Sequence, residues 1–275
     1  MRRALLLAAA AVAACSAPPI DAGLSPADQE RVRYERALSD MVRGRSEEAE
    51  EAFSELMEGA SNPEVAELSM LRMGDVLFAG GKFAEAREVY RQFVEQFGSS
   101  LNVPHALYMS ARCHLERTPE DLWILPPAAE REQGDLRHAL TLLKRLVLSH
   151  GDSFAAARGR ALYALSVRRA CEHELYVARY YLGRKRPVGT IQRLEQLLSE
   201  EEEQRTLGLL PAGWQMCGRE DEGFLLLAQA YARDGGREGL ERTLARYEAL
   251  RPAGRALPAI RSLLEGLGPD GRPPR

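Results

Sequence analysis

The chain has 275 residues, with 37 Lys or Arg, 40 Asp or Glu and a formal net charge of −3 at pH 7. A chain of this length can bury a large core in one or two domains. Its slightly acidic balance argues against general affinity for nucleic acid, which requires a concentrated basic face, so we expect no nucleic-acid partner.

The N-terminus has the pattern of a secretory signal peptide. Arg2 and Arg3 precede an apolar run over residues 4–14. As a helix this run would be about 16 Å long, roughly half of what a bilayer requires. A basic start, a short apolar centre and small residues before a cleavage site are typical of secretory signals. No second apolar run is long and clean enough to span a membrane.

The end of the apolar run indicates lipidation. Val12-Ala13-Ala14-Cys15 resembles the lipobox of bacterial lipoproteins, an aliphatic residue and two small ones before the acylated cysteine. By that resemblance, residues 1–14 are a lipoprotein signal peptide and residues 15–24 a lipidated tether, with the lipid on Cys15 as the only non-protein group. Ser16, rather than Asp, implies the periplasmic face of the outer membrane. The alternative is an ordinary secreted protein with an incidental cysteine.

Three further cysteines remain, Cys113, Cys171 and Cys217. The periplasm permits disulfides, but three is an odd number and no two have zinc-ligand spacing. We interpret them as buried free thiols on helices. The alternative is a disulfide between Cys171 and Cys217. No metal site is predicted.

From residue 25 onward, apolar residues recur at helical spacing. Ser25-Pro26-Ala27-Asp28 has the pattern of a helix start, with a hydroxyl cap, a proline and a carboxylate in the first turn. Residues 69–98 contain two apolar helical faces separated by Gly80-Gly81, and the same order returns over residues 224–252. This pattern resembles the tetratricopeptide repeat, a helix–turn–helix unit of about 34 residues. We predict an all-α tetratricopeptide-repeat superhelix of about ten main helices.

Five copies of the repeat can be aligned on three kinds of position. A small residue in the first helix allows a close helix crossing, at Ala37, Gly74, Ala111, Ala178 and Ala228. The turn between the helices falls at Gly44, Gly81, Gly134, Lys185 and Gly235. The second helix has its small residue at Ala49, Ala86 and Ala139, replaced by Thr190 and Leu240 in the last two copies.

The predicted domains are repeats 1–3 over residues 25–152, repeats 4–5 over residues 153–252 and a tail with a short helix over residues 253–275. The third copy carries an insertion over residues 117–133, expected to be an ordered loop pinned by Trp123. The fourth begins with an unusually long helix over residues 153–182. Residues 200–221 are predicted to be the connection to the fifth.

One segment contains residue types that suggest chemistry. In ACEHELYVARYYLGRKRP, residues 170–187, Cys171, His173 and Glu174 lie close together in sequence. Cys171 and His173 would project about 200° apart around a helix, so they cannot share a metal ion. His173-Glu174 does not continue into an H-E-x-x-H zinc motif, because position 177 is Val. We therefore interpret these residues as packing residues and predict no catalytic group.

The same segment carries a family resemblance. EHELYVARYYLGRKRPVGTIQRLEQLL, residues 172–198, resembles the fourth repeat of the BamD family, the tetratricopeptide lipoproteins of the outer-membrane β-barrel assembly machinery. EREQGDLRHALTLLKRLVLSHGDS, residues 130–153, resembles that family's acidic-Arg-acidic-Gln run and the helix after it. Pro187 and Gly189 depart from the family's aromatic residue and alanine, and SHGDS replaces its Y-P-x-S helix ending.

The resemblance implies a scaffold that binds proteins and is not an enzyme. The C-terminal repeats would dock the barrel-forming subunit, and the N-terminal repeats would receive C-terminal signals of unfolded outer-membrane proteins. Other assembly lipoproteins would be further partners, and the lipid would be the only membrane contact. The alternative is a tetratricopeptide lipoprotein of pilus secretin assembly or cell-envelope coordination.

The concave face of tetratricopeptide arrays, formed by the first helices, gives a candidate peptide-binding groove. Its positions are Arg31, Tyr34 and Leu38 in the first repeat, Leu71, Asp75 and Phe78 in the second, and His105, Tyr108 and Arg112 in the third. Arg31 and Arg112 would hold a terminal carboxylate, and the aromatic residues would bury peptide side chains. The alternative is that Leu71, Phe78 and Tyr108 are core between repeats.

Overall fold

The helices follow one another in pairs joined by short turns. The computed structural model describes residues 23–118, 133–211 and 214–268, which form eleven α-helices, a 3-10 turn and no β-strand. The helices are α1 Pro26–Val42, α2 Ser46–Gly59, α3 Pro63–Ala79, α4 Phe83–Gln96, α5 Val103–Leu115, α6 Gly134–Ser149, α7 Phe154–Gly183, α8 Pro187–Thr206, α9 Glu220–Asp234, α10 Arg237–Leu250 and α11 Leu257–Glu265. The 3-10 turn, Met216–Gly218, precedes α9. The predicted all-α class is confirmed.

The helix starts follow from local capping. Ser25 accepts a hydrogen bond from the backbone N–H of Asp28 at 3.2 Å, and Pro26 begins α1, as predicted. Ser153 caps α7 in the same way, through the backbone N–H of Ala156 at 3.1 Å. Both caps satisfy a backbone donor that has no partner within the first helical turn.

The predicted repeat register is confirmed by burial. The small residues of the first helices are all buried: Ala37, Gly74, Ala111, Ala178 and Ala228. Their counterparts in the second helices are also buried: Ala49, Ala86, Ala139, Thr190 and Leu240. In the fourth repeat Thr190 fits because its hydroxyl donates to the carbonyl of Ala178 at 3.0 Å.

Four of the five predicted turn positions have left-handed backbone. Gly44, Gly81 and Gly235 have φ between 74° and 76°, a region that glycine enters without steric cost. Lys185 adopts φ 58° at the equivalent place, which is unfavourable for a side chain with a Cβ. Gly134 was predicted as a turn and is instead the first residue of α6.

One boundary differs from the prediction, and several predicted segments lie outside the described residues. The connection between the fourth and fifth repeats begins at residue 207 and not at residue 200, because the acidic run continues α8, in keeping with the helix propensity of glutamate. The signal peptide, Cys15, most of the tether and the insertion with Trp123 are not among the described residues. Within the described ranges, no helix is long and apolar enough to cross a membrane.

The chain divides into two units, residues 1–76 and 77–275, with the boundary inside α3. In the first unit, Ala37 of α1 and Ala49 of α2 are fully buried with Phe53 and Val76. Such small residues at the crossing let the larger side chains close over them.

The second unit has its largest described core around α7 to α11. Its fully buried side chains include Leu175, Leu194, Phe224, Tyr247 and Ile260. The Tyr247 hydroxyl, at the end of this core, donates to the carboxylate of Asp221 and accepts from the backbone N–H of Ala256 at 3.3 Å. The short helix α11 is thereby joined to the last repeat.

Candidate functional site

Three of the predicted groove residues lie on α1. Arg31 is exposed, whereas Tyr34 and Leu38 are half-buried against the core of the first unit. The ring of Tyr34 meets that of Phe53 edge to face, with centroids 5.8 Å apart. Tyr34 and Leu38 therefore contribute to packing and still have part of their surface accessible.

The two groove residues on the first-unit part of α3 differ in accessibility. Leu71 is only 1 % exposed and lies in the core. Asp75 is half-buried and accepts a hydrogen bond from Nη1 of Arg72 at 2.6 Å. The carboxylate of Asp75 is therefore engaged by a guanidinium on the same helix.

The second unit holds the other four groove residues. The guanidinium of Arg112 lies 4.4 Å above the ring of half-buried Phe78 and 3.6 Å from the carboxylate of Glu116. His105 is also half-buried. Tyr108 is 8 % exposed, beneath the guanidinium of Arg158 at 4.8 Å. Leu71 and Tyr108 are thus packing residues, as the alternative interpretation expected for them, and the groove itself stays a prediction.

A cleft of about 290 Å³ lies between α6, α7 and α8. Its walls carry opposite charges that are paired with each other: Arg193 on α8 donates to the carboxylate of Glu174 on α7 at 2.8 Å. Arg137 of α6 and Cys171 of α7 also line it. The segment singled out for its chemistry therefore contributes Cys171 and Glu174 to the cleft.

Glu201, at the inner end of this cleft, is a buried carboxylate that the sequence analysis did not single out. It is 1 % exposed and accepts hydrogen bonds from the backbone N–H groups of Met216 at 2.7 Å and Cys217 at 3.1 Å. The indole Nε1 of Trp214 donates to it at 3.2 Å. Burial raises the pKa of Glu201 above its ordinary value of 4.5, although these hydrogen bonds and the charge of Arg205 act in the opposite direction.

Cys171 and Cys217 form a disulfide, with their Cα atoms 5.8 Å apart. The interpretation of these two cysteines as free thiols was wrong, because the fold brings α7 and the turn before α9 together across 46 residues of sequence. Cys113 is free and buried, as expected, and burial raises the pKa of its thiol to about 12.

Within the described residues, Cys171, Glu201 and Cys217 are a group of three side chains whose ligand atoms lie within 4.8 Å of one another. The disulfide leaves no thiolate to ligate a cation. The arrangement is therefore a buried carboxylate beside a disulfide.

A second buried carboxylate, Glu30 in the first unit, was also not predicted from the sequence. Its two oxygens accept hydrogen bonds from the backbone N–H groups of Ser61 at 2.8 Å and Asn62 at 3.0 Å, and from the Ser61 hydroxyl at 2.8 Å. These bonds hold the pKa of Glu30 below its ordinary value of 4.5. Glu30 thereby fixes the connection between α2 and α3.

The fold and the buried small residues at each crossing define a class of protein, the tetratricopeptide helical-repeat scaffolds, which bind other proteins. The family model YfiO, described as an outer membrane lipoprotein, matches residues 26–207. The chain belongs to this family, which is the BamD family that the sequence resembles.

Solved structures with similar folds were also found. A putative kinesin light chain with tetratricopeptide-like repeats from Podosopora anserina is 15 % identical, with a TM-score of 0.39 and coverage of 84 % of this chain and 99 % of that one. The TPR2AB domain of yeast Sti1 is 12 % identical, with a TM-score of 0.35 and coverage of 87 % and 97 %. No curated protein matches the sequence.

Proposed function

We propose that the chain is a lipid-anchored periplasmic scaffold of outer-membrane protein assembly. The observation that carries the proposal is the match of the outer membrane lipoprotein family over residues 26–207. Repeats 4–5 bind the barrel-forming subunit of the assembly machinery, and repeats 1–3 receive C-terminal segments of unfolded outer-membrane proteins. Further assembly lipoproteins bind the same scaffold.

The anchor in this proposal is a lipid on Cys15, which follows the apolar N-terminal run. One acyl chain gives only marginal membrane binding, whereas several acyl chains anchor a protein stably. A processed Cys15→Ser protein should therefore leave the outer-membrane fraction. Retention of that processed protein in outer-membrane pellets would contradict a lipid anchor.

The proposed activity is binding and not catalysis. In the cleft between α6, α7 and α8, the charged side chains of Arg193 and Glu174 are engaged with each other, and Glu200 accepts from the side-chain amide of Gln196 at 2.8 Å. Glu201 is occupied by backbone and indole donors. Charges that are paired in this way favour a structural role for the cleft walls.

The peptide groove is tested by Arg112→Glu. Because Arg112 lies over Phe78 on a half-exposed surface, its reversal should weaken binding of a peptide with an aromatic C-terminal residue by about tenfold, the loss of one charge-assisted contact. Thermal stability should change by no more than about 0.5 kcal/mol. Arg168→Glu is the matched control, because Arg168 lies 5.5 Å over the ring of Trp214, outside the groove. Equal peptide affinity of the two variants would remove Arg112 from the site.

The partner is tested by affinity purification of the tagged full-length chain from gently solubilised membranes, with mass spectrometry of what remains bound. Recovery of the barrel-forming subunit is the expected result. Recovery of a secretin or a pilus component in its place would favour the alternative class of tetratricopeptide lipoprotein. An untagged strain identifies proteins that adhere to the resin alone.

A further inference from the structure

Only one of the two cysteines in the disulfide lines the cleft. Cys171 on α7 lines the cleft of about 290 Å³, whereas Cys217, in the turn Met216–Gly218, is not among the lining residues. A reagent that enters the cleft therefore comes into contact with Cys171 and not with Cys217. The two cysteines are chemically distinct for this reason, although both are almost completely buried.

Glu201 is the ionisable group placed beside this bridge. One carboxylate oxygen lies 3.9 Å from Sγ of Cys171, and both sulfurs lie within 4.8 Å of the carboxylate. The backbone N–H groups of Met216 and Cys217 hold the carboxylate in place. This separation is longer than a direct hydrogen bond, so the proton would pass between the carboxyl group and a sulfur through one bridging water.

We propose that Cys171, Cys217 and Glu201 form a thiol–disulfide exchange site, in which thiols that enter the cleft attack Cys171 and Glu201 exchanges a proton with Cys217. The reacting partner is a thiolate of a small thiol or of a dithiol reductant in the reducing direction. In the oxidising direction it is the corresponding disulfide. The site lies within repeats 4–5, and the exchange chemistry does not depend on which protein those repeats bind.

The bonds in this exchange balance. The incoming thiolate forms a bond to Sγ of Cys171, the Cys171–Cys217 bond breaks, and its electron pair leaves with Cys217 as a thiolate. Glu201 in its carboxylic acid form gives its proton to that thiolate. A second thiolate then attacks the mixed disulfide, releases Cys171 as a thiol after protonation by solvent, and leaves as an oxidised disulfide. Oxidation runs through the same steps in reverse, with Glu201 as the proton acceptor.

The surroundings of Glu201 favour this role. Burial raises the pKa of the carboxyl group above 4.5, so its acid form persists to higher pH than that of an ordinary glutamate. The charged groups around it come from all the helices that form the cleft: Arg137 from α6, Glu174 from α7, and Arg193, Glu200 and Arg205 from α8. Arg193 and Glu174 neutralise each other, and Arg205 opposes the effect of burial without overcoming it.

The first experiment locates the attack in the unmodified full-length chain. The protein is treated briefly with a limiting amount of reduced glutathione, the products are trapped with acid and alkylated, and the mixed disulfide is mapped by mass spectrometry. Glutathione on Cys171 is the expected result. Glutathione on Cys217 would overturn the assignment, whether or not any variant folds.

The second experiment measures the rate at which dithiothreitol reduces the bridge at pH 6 to 7. Glu201→Gln should slow reduction by about tenfold or more, because it removes a proton donor. Glu200→Gln, the same change at the exposed neighbouring position, should leave the rate unchanged. Equal rates in the three proteins would overturn the proposal. A faster reduction of Glu201→Gln would also overturn it, since that result means that Glu201 only keeps the connection closed over the bridge.

Discussion

Each of the two units uses a carboxylate on one helix to fix a connection between repeats, but the two carboxylates are in different electrostatic states. Glu30 on α1 holds the short connection at Ser61 and Asn62 through backbone and hydroxyl donors, and its pKa is lowered. Glu201 on α8 holds the longer connection at Met216 and Cys217, and its pKa is raised. Hydrogen bonds are the main cause of the lowered pKa of Glu30, and desolvation is the main cause of the raised pKa of Glu201.

A long connection between helical repeats is held in place by more than one kind of bond. In its described residues, 207–211 and 214–219, the connection contributes buried side chains at Leu209, Leu210 and Met216. Met216 and Cys217 adopt left-handed backbone, with φ of 47° and 60°, which costs roughly 1–3 kcal/mol for each residue. The disulfide to α7 and the bonds to Glu201 offset this strain. The connection at residues 60–62 has no such strain and is held by hydrogen bonds to Glu30.

Of the substitutions that test this comparison, Glu201→Ala should lower the free energy of unfolding the most. It leaves the backbone N–H groups of Met216 and Cys217 without their acceptor, and at roughly 2 kcal/mol for each buried donor the loss in free energy of unfolding is about 4 kcal/mol. Urea unfolding monitored by circular dichroism measures it. Glu200→Ala, at an exposed position, should cost no more than about 0.5 kcal/mol. Equal costs would mean that Glu201 is not a structural acceptor.

Removal of the disulfide by Cys171→Ser should come next, with a loss of about 3 kcal/mol in the free energy of unfolding. The measurement compares wild type and variant with and without dithiothreitol. Reduction should lower the stability of the wild type to about that of the variant and should leave the variant unchanged. If the oxidised wild type and the variant unfold at the same urea concentration, the bridge does not stabilise the connection.

The smallest expected effect is on the pH dependence of stability, which should have opposite signs for Glu201 and Glu30. The folded state binds the Glu201 proton more tightly than the unfolded state, so wild type should lose stability relative to Glu201→Gln as pH rises from 4.5 through the raised pKa. The folded state binds the Glu30 proton less tightly. Wild type should therefore lose stability relative to Glu30→Gln as pH falls below 4.5 through the lowered pKa. Thermal unfolding over a pH series measures both, and slopes of the same sign would contradict the comparison.

The sequence alone was sufficient to predict the helices and the way they pair within each repeat. Apolar spacing and the small residues at each crossing are local signals, and positions such as Ala37 and Ala228 are buried where the repeat pattern placed them. The spacing also indicated that Glu201 would be buried, because it follows Leu194 and Leu198 on the same buried face of α8. That signal was missed because residues 200–203 are all glutamate and have the composition of an exposed helix end.

The disulfide and the accessibility of the groove depend on tertiary geometry. The pairing of Cys171 with Cys217 requires the position of a loop relative to a helix, which no periodicity encodes. Likewise, Leu71 and Tyr108 occupy the repeat positions expected at a surface, but both side chains are buried. Features that recur from one repeat to the next therefore predicted the helical-repeat fold, whereas the disulfide and the burial of individual side chains could be seen only in the folded structure.

The most direct test of the proposed scaffold measures the affinity of the purified barrel-forming subunit for the full-length chain, using variants that loosen one unit at a time. Cys171→Ser loosens the connection in the second unit, and Glu30→Gln loosens the connection in the first. If repeats 4–5 dock the subunit, Cys171→Ser should weaken binding several-fold and Glu30→Gln should leave it unchanged, under conditions in which circular dichroism shows both variants folded. Weaker binding by Glu30→Gln together with full affinity of Cys171→Ser would contradict the account.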